Sequence, residues 1–428
     1  MFQIIRADGA AEQEFLRALS ARNTETDARV TESVSAILRN VREKGDAAVR
    51  EYTERFDGIA LDRFVLTKEE IEEGYQACDP ELRRVLERAA RNIRAFHERQ
   101  RQQSWQMGDG VNTLMGQRIM GLAKVGLYVP GGTAAYPSSV LMNAIPAKVA
   151  EVGELVMVTP PGKDGKIAPH ILAAAKIAGV DTICRIGGAQ AVGALAYGTE
   201  QIPKVDKIVG PGNIFVATAK KLVFGTVDID MIAGPSEILI IADESANPAY
   251  VAADMMSQAE HDKMASSTLL CLSEEFAQKV RQALAEQLEH LSRKEIITAS
   301  LRDFGAAIVC GSLEQAAEIS DAVAPEHLEL MVEQPLELLK QVRNAGSVFL
   351  GKYAPEPLGD YMAGPNHVLP TGGTARFFSP LSYDAFIKKS SFLYYGEEAL
   401  RGIGADVMTF AESEGLTAHA NSIRVRMK

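Results

Sequence analysis

The sequence predicts an α/β protein with two lobes, each built on a mostly parallel sheet. Three observations predict it. From residue 122, short β-branched runs alternate with alanine-rich helical stretches, the mark of βαβ units. The same texture resumes after residue 263, following a break in character at 238–243. The composition is that of an ordinary globular protein, 46% apolar and 24% charged, and 428 residues can bury a large core.

The elements follow in order. Residues 1–24 read as a short helical lead. Residues 31–56 carry apolar side chains at 34, 37, 38, 41, 48 and 49, the spacing of a helix with one face to bury, broken at Gly45. Residues 81–104 form a second long helix whose alternating charges read as a solvated face. Strand runs come at 125–130, 154–160, 182–187, 207–212 and 237–243, then as STLLCLS, AAIVCG, HLELMV and GSVFLG. Helices lie between the early ones, at 140–152, 167–179 and 191–199. The opening helices need a sheet to cover. Residues 25–127 and 238–380 are therefore assigned to one lobe, and 128–237 to a lobe inserted into it. Residues 1–24 are then an N-terminal extension. Residues 381–428 read as a tail of helix, loop and a final alternating strand, SIRVRM.

Charge and composition exclude several classes. The net charge of −11 repels nucleic acid and anionic membrane, so neither is expected as a partner. No stretch approaches the roughly 18 unbroken apolar residues of a spanning helix. The opening MFQIIRADGA meets Arg6 and Asp8 too early for a secretory signal, so a cytoplasmic enzyme is the expectation. Four cysteines make no disulfide framework. Cys184, Cys271 and Cys310 sit inside apolar runs, and Cys78 has no histidine or lysine close in sequence, so none is assigned to catalysis.

The chemistry concentrates in five segments. VPGGTAAYPSS (129–139), with Gly131 and Gly132, follows a strand and opens a helix. IGGAQAVG (186–193) and VGPGN (209–213) are further strand-end glycine turns. Such turns allow close backbone approach, and ligands of open parallel sheets sit at the carboxyl ends of strands. The same turns also serve as plain connectors, and no standard dinucleotide fingerprint is present. In SQAEHD (257–262), Gln258 and His261 share a helical face. In APEHLEL (324–330), Glu326 and His327 adjoin ahead of an apolar strand; to act on one substrate, they must lie on the preceding loop. GDYMAGPNHVLPTGG (359–373) is a long turn-rich loop carrying Asp360 and His367, and EGLTAHANS (414–422) carries Glu414 and His419, five apart, which favours a loop. Of seven histidines, 97, 170 and 290 sit in helical patterns and read as structural. Gln258, His261, Asp360 and His419 make a nitrogen and oxygen ligand set without thiolate, suited to Zn²⁺ or Mn²⁺ with open positions.

Taken together and in order, VGLYVPGG, GGAQAVGALAYGT, VDKIVGPGN, AGPSE, SQAEHD, APEHLEL, GDYMAGPNHVLPTGG and EGLTAHANSIRVR resemble histidinol dehydrogenase, over roughly residues 25–427. The resemblance implies two incomplete Rossmann-like lobes with small terminal extensions. It implies NAD-dependent oxidation of L-histidinol through L-histidinaldehyde to L-histidine, the last step of histidine biosynthesis. It implies one zinc per subunit, on Gln258, His261, Asp360 and His419, holding the substrate's imidazole and amine. His327 is then the general base and Glu326 activates the water that hydrates the aldehyde. Ser236, Gln258, His261, His327, Asp360, Glu414 and His419 would touch the substrate, and Tyr128, Gln190 and Asn213 would touch NAD. His367 takes a supporting role. The resemblance also implies a homodimer with exchanged tails, in which Glu414 and His419 complete the partner's site. A zinc hydrolase with Glu326 as base is the competing reading from another class; it leaves the glycine turns unexplained.

Overall fold

The structure is a computed structural model that describes residues 1–21, 28–131 and 136–428. Gly132 lies outside the described residues. The chain divides into two compact units, residues 1–100 with 122–386, and residues 101–121 with 387–428.

The chain opens with a strand, β1 (Gln3–Arg6), and then helix α1 (Ala11–Ala21), where helix alone was expected. Four helices follow: α2 (Ala28–Lys44), α3 (Asp46–Asp57), α4 (Lys68–Ala77) and α5 (Pro80–Glu98). Gly45 breaks α2 from α3 with φ of 54°. Next come β2 (Trp105–Met107) and β3 (Thr113–Gly121). The first alternation runs β4 (Lys124–Tyr128), α6 (Pro137–Val149), β5 (Glu154–Val158), α7 (Pro169–Ala178), β6 (Thr182–Cys184), α8 (Gly188–Tyr197), β7 (Lys207–Val209), α9 (Ile214–Val223) and β8 (Asp228–Ile229). The second runs β9 (Glu237–Ala242), α10 (Pro248–Ala259), β10 (Ser266–Cys271), α11 (Glu274–Leu288), α12 (Lys294–Phe304), β11 (Gly305–Val309), α13 (Leu313–Val323), β12 (His327–Met331), α14 (Pro335–Leu339) and β13 (Ser347–Leu350). A short helix, α15 (Glu356–Leu358), runs into a π-helical turn, Gly359–Ala363. The chain ends with β14 (Ile387–Tyr395), α16 (Glu397–Ser413) and α17 (Thr417–Arg424).

In the large unit, one parallel sheet has the order β6-β5-β4-β7-β8 and the other β1-β11-β10-β9-β12-β13. In each, the first strand of its alternation ends up between the second strand and a later one. That reversal creates a crevice beside β4 and another beside β9, the pattern of an incomplete Rossmann-like lobe. Residues 237–242 and 266–271 are buried throughout, as sheets covered on both faces require.

The opening helices cover a different sheet from the one expected. Val34, Ile37, Leu38, Val41 and Val49 share one core with Val156, Ile186, Leu195 and Val216 of the first sheet. The physical reason is coverage: α10 to α13 and α1 already clothe the second sheet, through Met255, Phe276, Leu301, Phe15 and Leu19. Burying each such side chain contributes about 1.5–3 kcal/mol, so the helices go where apolar surface is still open.

The small unit pairs β14, β3 and β2 antiparallel, with α16 packed on α17. The expected final strand is absent, because SIRVRM begins inside α17. Ile423 and Met427, four apart, both reach the bare backbone of Gly404 on α16, a helical spacing that overrides the short alternation.

Candidate active site

The amino ends of β9 and β12 hold the expected acid–base pair, with Glu326 on the preceding loop as expected but His327 already in the sheet as the first residue of β12. α13 ends with Ala324 in a left-handed conformation (φ 52°), which turns the chain and delivers Pro325 and Glu326 ahead of His327. The Glu237 backbone then fixes both neighbours. Its N–H donates to Glu326 Oε2 at 2.9 Å, and its carbonyl lies 3.0 Å from His327 Nδ1. Nδ1 must donate there, so Nε2 carries the lone pair. That Nε2 has no hydrogen-bond partner, and the nearest carboxylate oxygen recorded, on Glu356, is 3.9 Å away. Burial lowers the His327 pKa to about 4, against the opposing pull of Asp360. A neutral imidazole with an open nitrogen is a base in waiting.

Carboxylates crowd this corner. Burial pushes Glu326 well above the usual range; the Glu237 N–H opposes the rise, while Glu237, Asp360 and Glu356 add to it. Glu356 opens α15 with its N–H on Glu329 Oε1 at 2.8 Å, and its own pKa is raised by burial and by Asp360. Asp360 sits on the π-helical turn, a distortion common at functional sites. Its Oδ1 lies 3.8 Å from His367 Nδ1. His327, Glu356 and Asp360 each offer a ligand atom within 4.8 Å of the other two. Gln258, near the end of α10, is fully buried, yet neither its carboxamide oxygen nor its nitrogen has a hydrogen-bond partner. His261 follows one turn later, exposed, and its charge acts on His327 and His367. Ser236 precedes Glu237 directly and is half-buried.

The glycine turns gather at the carboxyl ends of β4, β6 and β7. Tyr128 ends β4, buried, with its hydroxyl accepting from the Gly188 N–H at 3.0 Å. Gln190 lies in the first turn of α8, buried, with its Oε1 unpaired. Asn213 caps α9, accepting from the Phe215 and Val216 N–H groups at 3.1 and 3.2 Å. A cavity of about 1030 Å³ opens alongside, lined by Gly131, Thr159, Pro160 and Arg185 among others.

Comparison with known proteins decides the family. The histidinol dehydrogenase family profile matches residues 20–427. A histidinol dehydrogenase of Clostridium acetobutylicum is 56% identical, with all of both chains aligned. One of Lactococcus lactis is 51% identical over 97% of this chain and 96% of its own. The crystal structure of histidinol dehydrogenase from Elizabethkingia anophelis superposes with a TM-score of 0.93 at 36% identity, covering 100% of this chain and 98% of that one. The chain belongs to the histidinol dehydrogenase family.

The family's zinc and NAD can be tested against the residues present. A buried amide with two orphaned polar atoms, an imidazole nitrogen left open and two carboxyls, Glu326 and Glu356, whose pKa burial and the nearby Asp360 raise, all fit a divalent cation. For NAD, the fit is the orphaned Gln190 Oε1. Gly131 and Gly187 are glycine because Pro160 packs on both, at 2.6 Å from where a Cβ would sit, which holds the two turns together beside that site.

The large unit thus brings together Glu326, His327, His261, Asp360 and His367. Glu414 and His419 lie on the small unit, both exposed; Glu414 caps α16 and His419 sits on α17, a helix rather than the expected loop. The sequence reading missed Glu356, Glu329 and Asp254, which lie behind the site. The alternation in HLELM puts Glu329 on the same strand face as His327, a signal that could have found it, whereas Glu356 stands in a plain APEPLG turn. The four cysteines are buried free thiols; burial pushes Cys184 and Cys271 up to about 12 and Cys310 to about 11, far from thiolate at neutral pH.

Proposed function

We infer that this chain oxidises L-histidinol through L-histidinaldehyde to L-histidine with two molecules of NAD, using a zinc held by Gln258, His261 and Asp360 and by His419 of a second copy. The observation that carries the reading is the Glu237 clamp, which leaves His327 Nε2 free as a base in a group with Glu356 and Asp360 whose ligand atoms lie within 4.8 Å of one another. When bound, zinc supplies a Lewis-acid anchor for the substrate's nitrogens, and NAD supplies the hydride acceptor of each half-reaction.

The chain's own residues do the rest. His327 Nε2 takes the alcohol proton as the C–H bond gives up its hydride, leaving the aldehyde. Glu326 takes a proton from water, whose oxygen adds to the aldehyde carbon and forms the gem-diol. The protonated His327 returns its proton to the former carbonyl oxygen as the gem-diol forms, and, neutral again, takes a gem-diol proton in the second oxidation, which leaves the carboxylic acid. Ser236 and Glu414 contact the substrate. Tyr128, Gln190 and Asn213 contact the dinucleotide. The lobe of residues 128–237 carries that dinucleotide site.

Exposure of Glu414 and His419 fits completion of the site by exchanged tails in a homodimer. Leu393 and Phe410, each 71% exposed on the same small unit, fit burial against a second copy. Among the described residues, no helix is long and apolar enough to cross a membrane.

Mixing His327→Asn with His419→Asn protein tests this reading. A hybrid dimer keeps one intact site, and hybrids form half of a statistical mixture, so about a quarter of wild-type activity should return. No recovery in a mixture shown to contain hybrids would refute tail exchange.

A further inference from the structure

We propose that the buried ion pair Lys220–Asp230 is a positioning device that sets the dinucleotide loop; the proposal rests on the NAD site inferred above. Lys220 lies on α9 and Asp230 directly after β8, and their side chains are 4% and 1% exposed. A buried pair is weakly stabilising unless its remaining hydrogen-bonding capacity is used. Here most of it is used on one residue. Lys220 Nζ donates to the Gly210 carbonyl at 2.8 Å, and Asp230 Oδ2 accepts from the Gly210 N–H at 2.7 Å. Asp230 Oδ1 also accepts from the Met231 N–H at 2.6 Å.

Gly210 is the residue that needs holding. It is buried, so its N–H and carbonyl cannot turn to water. Its φ of 111° lies in the region open to glycine, and a Cβ there would run into the Tyr128 carbonyl oxygen. The loop therefore sits directly against the backbone of Tyr128. The Tyr128 hydroxyl in turn accepts from Gly188, two residues ahead of Gln190, and Asn213 follows Gly210 by three residues. The ion pair grips one end of a chain of contacts linking all three residues proposed to touch NAD. Neither Lys220 nor Asp230 is placed to touch the dinucleotide itself; each acts through Gly210.

The test compares Lys220→Met and Asp230→Asn with Gln190→Ala, a change at a direct contact. NADH binding to the substrate-free enzyme is followed by fluorescence titration. The KM for NAD, the KM for L-histidinol and the zinc content are measured alongside. The Kd for NADH and the KM for NAD should rise at least tenfold in Lys220→Met and Asp230→Asn, with the KM for L-histidinol and the zinc content within twofold of wild type. Normal NADH binding in both, with weakened binding in Gln190→Ala, would overturn the proposal and leave the site standing. Normal binding in all three would remove the NAD site and the proposal with it. A parallel rise in both KM values with loss of zinc would mark a general structural role and also overturn it. Should a single variant fail to fold, Lys220→Met/Asp230→Asn leaves no unpaired charge and is judged by the same criteria.

Discussion

Gln258→Met separates a metal ligand from a core residue. Gln258 is 0% exposed, and both polar atoms of its carboxamide lack partners. A buried polar group left unpaired destabilises by about 1–3 kcal/mol. Met has nearly the same length and no polar end, so in metal-free protein the substitution should stabilise by about 1–3 kcal/mol. Unfolding entropy of roughly 2.1 cal/mol/K per residue over 428 residues gives roughly 0.9 kcal/mol/K, hence a rise in Tm of about 1–3 °C. Zinc at a hundredfold excess over its Kd stabilises wild type by about 2.7 kcal/mol, or about 3 °C on the same scale, and the variant should lose most of that shift. The assay is thermal unfolding of both proteins after chelation and after zinc addition, with elemental analysis of bound metal. A metal-free variant that melts several degrees below metal-free wild type would refute the reasoning, as would a variant that keeps the full zinc shift.

Three further outcomes follow from the same geometry. His327→Asn should slow both half-reactions by about 10²–10⁴-fold while bound zinc is unchanged; near-normal turnover on either L-histidinol or the aldehyde would remove it as the base. Glu326→Gln keeps an acceptor for the Glu237 N–H but loses the basic oxygen, so aldehyde oxidation should fall about tenfold or more beyond alcohol oxidation, and equal losses would contradict the division of labour. His97 is fully buried, and burial lowers its folded pKa below the unfolded value of about 6.5; its stabilising contribution is complete above that value and is lost as pH falls through the folded pKa. His97→Asn should therefore lose less stability than wild type between pH 7 and 5 in denaturant titrations, and identical slopes would count against the assignment.

Much of the architecture was legible because it rests on local pattern. Each β-branched run from VGLYV to SVFL became a strand, and Gly45 ended a helix where the periodicity broke. The adjacency of Glu326 and His327 called for both on the loop ahead of the strand; only Glu326 lies there, because His327 already pairs with Ile238 and Ser347 as the first residue of β12. What stayed hidden depends on distant pairing. QIIR is too short to declare itself, and becomes β1 only by pairing with residues 306–309. Which sheet the opening helices cover is decided by the surface left open, not by their own periodicity. The alternation in SIRVRM is real but yields to packing on Gly404. Gln258 drew attention by its spacing from His261, yet its orphaned amide shows only in three dimensions. Lys220 and Asp230 stand ten residues apart in a run of ordinary helix and turn, and nothing local marks them as a pair.

The most direct measurement is the stoichiometry of NAD reduction on limiting L-histidinol, with and without a chelator. Two NADH should appear per L-histidinol consumed, with L-histidine as the product; activity should vanish on chelation and return with zinc. One NADH per substrate with aldehyde released, or turnover indifferent to the chelator, would contradict the account.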